Sequence, residues 1–131
     1  MILFLRGLFL LILITMLGVT SWAGSHCPLF AVPAAVYRHP WFIATMADAY
    51  CGFLTFFVWV AYQQTAALAR VLWFLAIMLL GNIAMSAYCL NELCRTPRDT
   101  RPAELLVRRH DGAGLLGGIL ALLGAAVLLL G

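Results

Sequence analysis

Hydrophobic positions gather into four long stretches, and polar positions fall almost entirely in the connections between them. Each stretch approaches the ~20 apolar residues that a helix needs to cross a bilayer. The sequence therefore predicts an all-α integral membrane bundle of four transmembrane helices. The four stretches are Ile2 to about Trp22, Pro40 to Tyr62, Leu68 to Leu90 and the Gly-rich segment 112–131.

The connections divide the chain into three parts. The third helix is expected to continue beyond the membrane to Cys94, and a short surface helix is expected between Ala103 and Arg109. Pro40 suits the first turn of the second helix, because it lacks the N–H that would be unpaired there. The predicted parts are a three-helix transmembrane unit (1–94), an Arg-rich polar loop (95–111) and a Gly-rich fourth transmembrane helix (112–131).

The composition supports lipid as the solvent of this chain. Of its 131 residues, 65% are hydrophobic and only 10% are charged, whereas a soluble domain is about half apolar and a quarter charged. The net charge of +3 arises mainly from one loop, so nucleic-acid binding is not expected. The first stretch ends in the small-x-small pattern of a signal peptide, Ser21-Trp22-Ala23. Since Met1 is present, a retained helix is expected.

Asp48 is the one charged residue inside the second stretch. A charged group at the centre of a spanning helix costs ~3 kcal/mol and usually faces the protein interior. Helix rise places Asp48 near the middle of its stretch, with Asn82 and Thr15 at the same depth on the neighbouring stretches. We expect these three side chains to form an intramembrane polar layer, in which the Asn82 amide hydrogen-bonds the Asp48 carboxyl group.

The Arg residues near the ends of the spans predict an orientation. If all four stretches cross, the side that holds the first and third connections carries six Arg and the other side carries two. That side is therefore predicted to be cytoplasmic, with both termini outside the bacterial inner membrane. Five Arg residues of the polar loop are expected to contact anionic lipids or an acidic partner surface: Arg95, Arg98, Arg101, Arg108 and Arg109.

Small residues are expected where helices approach each other closely. Gly81 lies in the third stretch, and Gly114 and Gly118 share a small-xxx-small spacing in the fourth. The fourth helix is therefore expected to pack on its own bundle or on a neighbouring chain.

The sequence contains no recognisable set of catalytic or metal-ligating residues. The three His residues all lie in connections, and the four Cys residues form no CxxC pair and no zinc spacing. We therefore predict no metal site, no catalytic residue and no cofactor. A bound lipid is expected. A pigment at a partner interface is compatible with the sequence, but no residue supports it.

Several runs resemble a known family. They are His39-Pro40-Trp41, Asp48 through Phe56, Trp59 through Tyr62, and Gly81 through Met85 followed by Tyr88. Over roughly residues 1–94 they resemble DUF1475, a bacterial family of short multi-pass membrane proteins of unknown function. The resemblance implies an uncharacterised three-helix unit and carries no catalytic residue. The Gly-rich fourth stretch would then be an addition to that unit.

The favoured function is a small, non-catalytic accessory subunit of a larger membrane complex. The chain has no soluble domain and no catalytic motif, but it has a Gly-rich packing surface and one basic loop. The alternative is a homo-oligomeric transporter or channel in which Asp48 binds a proton or a cation. A membrane enzyme ranks third, because no spacing unites its candidate residues, which are Asp48, Glu92 and the Cys residues.

Overall fold

The computed structural model describes residues 1–110, 112 and 114–130. Apart from one isolated bridge pair, every regular element in those ranges is a helix, so the predicted all-α fold is confirmed. Asp111, Ala113 and Gly131, which belong to the predicted loop and fourth helix, lie outside the described residues. The helices are α1 (Ile2–His26), α2 (Ala34–Tyr37), α3 (Pro40–Gln63), α4 (Ala67–Leu80), α5 (Asn82–Cys94), α6 (Pro102–Val107) and α7 (Gly114–Leu130), with a 3-10 turn at Leu29–Ala31.

Helices α1 and α3 are long and apolar enough to cross a membrane. They have 25 and 24 residues, and the most apolar window of each is only 6% buried. Helix α3 begins where the sequence predicts, with Pro40 in its first turn and a His39 cap that accepts from the Trp41 N–H at 3.3 Å. Two candidate crossings are therefore present, and the predicted count of four is not confirmed.

The third stretch is broken at Gly81. Helix α4 ends at Leu80, α5 begins at Asn82, and Gly81 between them has φ of 50° and ψ of −122°. This conformation favours glycine and resembles the first central position of a type II′ turn. A Cβ at this position would lie 2.5 Å from the ring of Phe53, which is half-way along α3. The prediction of one continuous helix to Cys94 is therefore wrong.

After the break, α5 returns toward the end from which α4 came. Trp73 in α4 packs on Tyr88 in the second half of α5, with ring centroids 4.8 Å apart. Leu93 near the end of α5 packs with Ile2 at the start of α1. Helices α4 and α5 therefore form a helical hairpin with Gly81 at its tip. Because α4 has 14 residues, the hairpin is only about 21 Å long, short of the ~30 Å core of a bilayer.

The hairpin brings the N-terminus, the α3–α4 turn and the Arg-rich loop to one end of the molecule. Arg6 donates to the Leu93 carbonyl oxygen at 2.6 and 3.2 Å and to that of Thr96 at 2.9 Å. The prediction that the N-terminus and this loop lie on opposite sides is therefore wrong, because it counted the third stretch as a complete crossing. We call this the Arg-rich end, and it comprises residues 1–6, 62–70, 88–110 and 112.

Helix α7 lies against α4 and runs in the same direction. A Cβ on Gly117 would lie 3.0 Å from the Trp73 ring, and one on Gly124 would lie 2.7 Å from the Leu79 Cβ. These contacts follow both helices in the same order, so the two axes are parallel. The Gly-rich face of α7 therefore packs on the chain's own bundle.

The buried core extends from the hairpin tip into the Arg-rich end. Beyond the tip, the second half of α1 and the first half of α3 contain no buried residue. These exposed halves are residues 13–26 and 40–52. The main core cluster is Val60, Trp73, Ala76, Ile77, Ala84, Tyr88 and Ala121, and a smaller one is Ile2, Leu93 and Leu105.

Candidate functional site

A chain of side-chain hydrogen bonds joins α3, α5 and α6 inside the Arg-rich end. Gln63 Nε2 donates to the Leu105 carbonyl oxygen at 2.6 Å. The Tyr88 hydroxyl donates to Gln63 Oε1 at 2.9 Å, and Gln64 Nε2 donates to the Tyr88 oxygen at 3.1 Å. Because a carbonyl oxygen can only accept, the first bond fixes the direction of the other two. Gln63, Gln64 and Tyr88 are all fully buried.

Two buried polar atoms beside this chain have no hydrogen-bond partner within the described residues: Gln64 Oε1 and His110 Nδ1. The two residues form an isolated parallel bridge pair. The His110 N–H donates to the Gln63 carbonyl oxygen at 2.9 Å, and the Thr65 N–H donates to that of His110 at 3.4 Å. An unpaired buried acceptor costs ~1–3 kcal/mol. These bonds therefore hold the loop to the α3–α4 turn, while the two side-chain atoms stay unpaired within the described residues.

Glu92 on α5 pairs with the other ring nitrogen of His110, Nε2. His110 Nε2 lies 2.7 Å from Glu92 Oε2, and the two side chains are 15% and 1% exposed. Thr96 Oγ1 donates to the Glu92 carbonyl oxygen at 2.7 Å, and Asn91 Nδ2 lies 3.5 Å from Glu92 Oε1. A buried carboxylate depends strongly on its partner, because removing that partner leaves the charge uncompensated. The pair therefore anchors the end of the loop to α5.

Arg side chains satisfy carbonyl groups at the helix ends. Arg70 Nε donates to the Gln64 carbonyl oxygen at 2.8 Å, and Arg109 Nε donates to that of Tyr62 at 3.1 Å. The Arg109 guanidinium also lies 5.2 Å from the centroid of the Tyr62 ring. The last carbonyl groups of a helix have no partner within it, so these bonds stabilise the end of α3.

The ring of Tyr88 stands at the centre of an aromatic cluster. It makes edge contacts with Trp73, Trp59 and Phe56 at centroid distances of 4.8, 5.6 and 6.1 Å. Such pairs contribute about 0.5–1.5 kcal/mol each beyond area burial. The ring of Tyr88 therefore belongs to the apolar core. Its hydroxyl group belongs to the polar cluster, which is Gln63, Gln64, Tyr88, Glu92 and His110.

The polar cluster contains two groups that can exchange protons. Glu92 and His110 form a pair, and no group of three or more His, Cys, Asp or Glu residues is placed to hold a metal among the described residues. The nearby Cys89 is buried and lines an apolar cavity. The arrangement closes the Arg-rich end by joining the loop to α5 and α3.

The three residues of the predicted polar layer are not brought together. Asp48, Asn82 and Thr15 are each exposed, and no hydrogen bond joins them within the described residues. The depth estimate assumed a straight third helix, whereas the break at Gly81 places Asn82 at the hairpin tip. Asp48 lies beyond that tip, five residues before Phe53 on α3.

The five Arg residues predicted to meet lipid or a partner are all exposed. Arg95 Nη2 donates to the Gly112 carbonyl oxygen at 3.3 Å, and Arg109 bonds the end of α3 as described. Arg108 lines a small cavity with Thr100 and Glu104. Arg98 and Arg101 lie on the loop surface.

The predicted packing glycines all lie at close helix contacts. Gly81 forms the hairpin tip, and a Cβ on Gly114 or Gly118 would lie 3.3 or 3.4 Å from side chains of α4. The tightest contacts of α7 are those of Gly117 and Gly124, which the small-xxx-small spacing did not select.

Sequence reasoning missed the polar cluster. It placed Gln63 and Gln64 in the tight turn between the second and third stretches and His110 in a connection. The available signal was Glu92, an acid that shares a helix face with Tyr88 and Cys89 and needs a partner when it is buried. Which residue supplies that partner depends on the path of the loop.

The comparison with known families extends the resemblance noted above. A family model matches residues 4–115, which is most of the chain. The chain belongs to the DUF1475 family. The members of this family are described as proteins of unknown function. The DUF1475 match runs past Cys94 and through the Arg-rich loop into the start of α7, so the loop is part of the family unit. No curated protein and no solved structure matches the chain.

Proposed function

We propose that this DUF1475 protein is a small, non-catalytic accessory subunit of a larger complex in the bacterial inner membrane. The observation that carries the proposal is the position of Asp48. It is the ninth of the 24 residues of α3, on the exposed half of that helix. No hydrogen bond from the described residues reaches its carboxyl group.

In a bilayer, this position is costly for a lone chain. A charged group deep in a spanning helix costs ~3 kcal/mol and is normally paired or turned toward protein. The chain's own hairpin ends at the level of Phe53 and stops short of Asp48. A helix from another protein, with a hydrogen-bond donor or a cation at this depth, would remove most of that cost.

The two long helices offer the surface that such a partner needs. Their apolar windows are only 6% buried, whereas the core helix of a soluble domain is mostly buried. The exposed halves of α1 and α3 therefore face lipid or partner helices. The Arg-rich loop supplies a second contact, with an acidic partner surface or with anionic headgroups.

The fold also supports a revised orientation. Seven Arg residues lie at the Arg-rich end, and one, Arg38, lies in the connection between α1 and α3. Cytoplasmic flanks of membrane helices carry the excess of Arg and Lys. We therefore place the N-terminus and the Arg-rich loop in the cytoplasm and residues 27–39 outside.

Co-purification in a mild detergent tests the accessory role. The tagged wild-type protein should elute with stoichiometric amounts of at least one larger membrane protein, and Asp48→Ala should lose that protein. Thr55→Val is the matched control, because Thr55 is also exposed on α3 and bonds only the Cys51 carbonyl oxygen of its own helix. A monodisperse wild-type protein without a partner would overturn the proposal.

A second candidate function is a homo-oligomeric transporter or channel. The broken helix favours it, because helices interrupted inside a membrane often line binding sites in transporters. Here Asp48 would bind a proton or a cation. Purified protein in proteoliposomes should then conduct protons or Na⁺, and Asp48→Asn should abolish the flux while the oligomer persists. Absence of flux in the wild-type protein would exclude this candidate.

A further inference from the structure

We propose that the Arg-rich end binds one anionic phospholipid, with an acyl chain in the cavity between α1, α3, α5 and α6 and the phosphate beside Arg108. The inference rests on the membrane location that the proposed function assumes. It adds a ligand and a site that do not depend on the identity of the partner protein.

The acyl-chain site is an apolar cavity of about 330 Å³. Leu5 and Phe9 from α1, Trp59 from α3 and Leu106 from α6 contribute to its walls, and the accessible lining is entirely apolar. The Trp59 Nε1–H donates to the Leu106 carbonyl oxygen at 3.0 Å, so the polar edge of this ring is already satisfied.

The size and chemistry of the cavity select its occupant. Ligand pockets span ~300–1,000 Å³ and normally include a few polar groups that orient a ligand. This cavity lies at the lower end of that range and offers no polar group, so an extended hydrocarbon chain fits it better than a polar metabolite.

A second cavity shares the wall residue Leu105 with the first. It has a volume of about 370 Å³, and its polar walls are Thr96, Thr100, Glu104 and Arg108. An Arg guanidinium and a hydroxyl group are common donors to phosphate oxygens. A lipid whose chain lies against Leu105 would thus bring its phosphate to Arg108 and Thr100.

The charge of this end favours an anionic headgroup despite Glu104. Its described part contains seven Arg residues and three acids, one of which, Glu92, is buried and paired with His110. The other two acids, Asp99 and Glu104, are exposed on the loop and α6. A zwitterionic lipid would gain less from this excess of positive charge than phosphatidylglycerol would.

Tryptophan fluorescence provides the test, since Trp59 lines the cavity. A Trp22→Phe/Trp41→Phe background removes the two exposed indoles and keeps Trp59 and the fully buried Trp73. This protein is placed in phosphatidylcholine vesicles that contain a small fraction of lipid brominated on its acyl chains. Brominated phosphatidylglycerol should quench the fluorescence at about fivefold lower mole fraction than brominated phosphatidylcholine does.

Two pairs of variants separate headgroup from chain. Arg108→Gln should remove the preference for phosphatidylglycerol, and Arg98→Gln, which changes an exposed Arg outside both cavities, should keep it. Leu106→Asn should weaken quenching by both lipids, and Val107→Asn, which lies next to the cavity wall, should not. Equal quenching by the two lipids in the background protein, or a preference that survives Arg108→Gln, would overturn the proposal.

The same variants distinguish this inference from the accessory role. Asp48→Ala should leave the lipid preference unchanged even where it loses the partner protein. Arg108→Gln should lose the preference whether or not a partner co-purifies. A lipid preference without a partner therefore rejects only the accessory role, and a partner without a preference rejects only the lipid site.

Discussion

The ring of Phe53 occupies the space into which a side chain at Gly81 would project. Its Cζ would lie 2.5 Å from a Cβ built on that glycine, and the φ of Gly81 is 50°. Only glycine satisfies both the backbone conformation and the contact. This pair of residues therefore sets where the hairpin reverses and how far it reaches along α3.

Gly81→Ala should destabilise the protein by about 2–4 kcal/mol, from backbone strain and overpacking against Phe53. Thermal unfolding in detergent, followed by circular dichroism, measures the effect. Gly52→Ala is the control, because a Cβ at Gly52 meets nothing within 4 Å and the residue lies inside α3. Similar unfolding temperatures for the two variants would show that Gly81 does not constrain the turn.

Tyr88→Phe should cost about 1–3 kcal/mol, because it leaves Gln63 Oε1 and Gln64 Nε2 buried without their shared partner. The aromatic contacts of residue 88 would remain. Tyr50→Phe removes the same hydroxyl group from a side chain that is 46% exposed, and it should leave stability within about 0.5 kcal/mol of wild type. Urea unfolding in mixed micelles compares them, and a neutral Tyr88→Phe would contradict the role assigned to the hydrogen-bond chain.

These two sites show what the sequence could and could not predict. The start of α3 at Pro40 and a short helix within the Arg-rich loop follow from local rules, and the structure has both. The break at Gly81 does not, because a lone glycine in an apolar run is compatible with a continuous helix at a cost of only ~1 kcal/mol. Its conformation is selected by Phe53, 28 positions earlier in the chain.

The unpredicted break at Gly81 also explains why the predicted polar layer of Asp48, Asn82 and Thr15 is absent from the described residues. Depth counting is valid along one straight helix, so the break removed the basis for pairing Asp48 with Asn82. The buried cluster could not be predicted either, because Gln63 and His110 meet through backbone bonds between distant segments. From composition alone, Gln63 and His110 are expected to be solvated loop residues.

The Glu92–His110 pair should control how firmly the Arg-rich loop is held. Glu92→Gln weakens the contact to His110 Nε2, so trypsin should cleave after Arg108 and Arg109 more rapidly. We expect about a tenfold increase in cleavage rate, which corresponds to ~1.4 kcal/mol of lost local stability. Peptide mass spectrometry locates the cuts and gives their rates.

Glu104→Gln provides the matched comparison for that experiment. It neutralises an exposed acid on α6 that lies outside the His110 pair. Its cleavage rate should stay near the wild-type value. If Glu92→Gln behaved in the same way, the pair would not be what anchors the loop.

Two natural cysteines test the orientation that the hairpin implies. Cys27 follows α1 and Cys94 ends α5, and both are exposed free thiols. Four complete crossings would place them on the same side of the membrane, whereas the α4–α5 hairpin places them on opposite sides. In single-cysteine variants, a membrane-impermeant maleimide should label Cys27 in intact spheroplasts and label Cys94 only after lysis. Detergent-solubilised samples should label at both positions, which verifies that each thiol is reactive. Equal labelling of the two residues in intact spheroplasts would place Cys27 and Cys94 on the same side of the membrane. That result would contradict the hairpin, because a chain that reverses at Gly81 keeps Cys94 on the side where α4 begins.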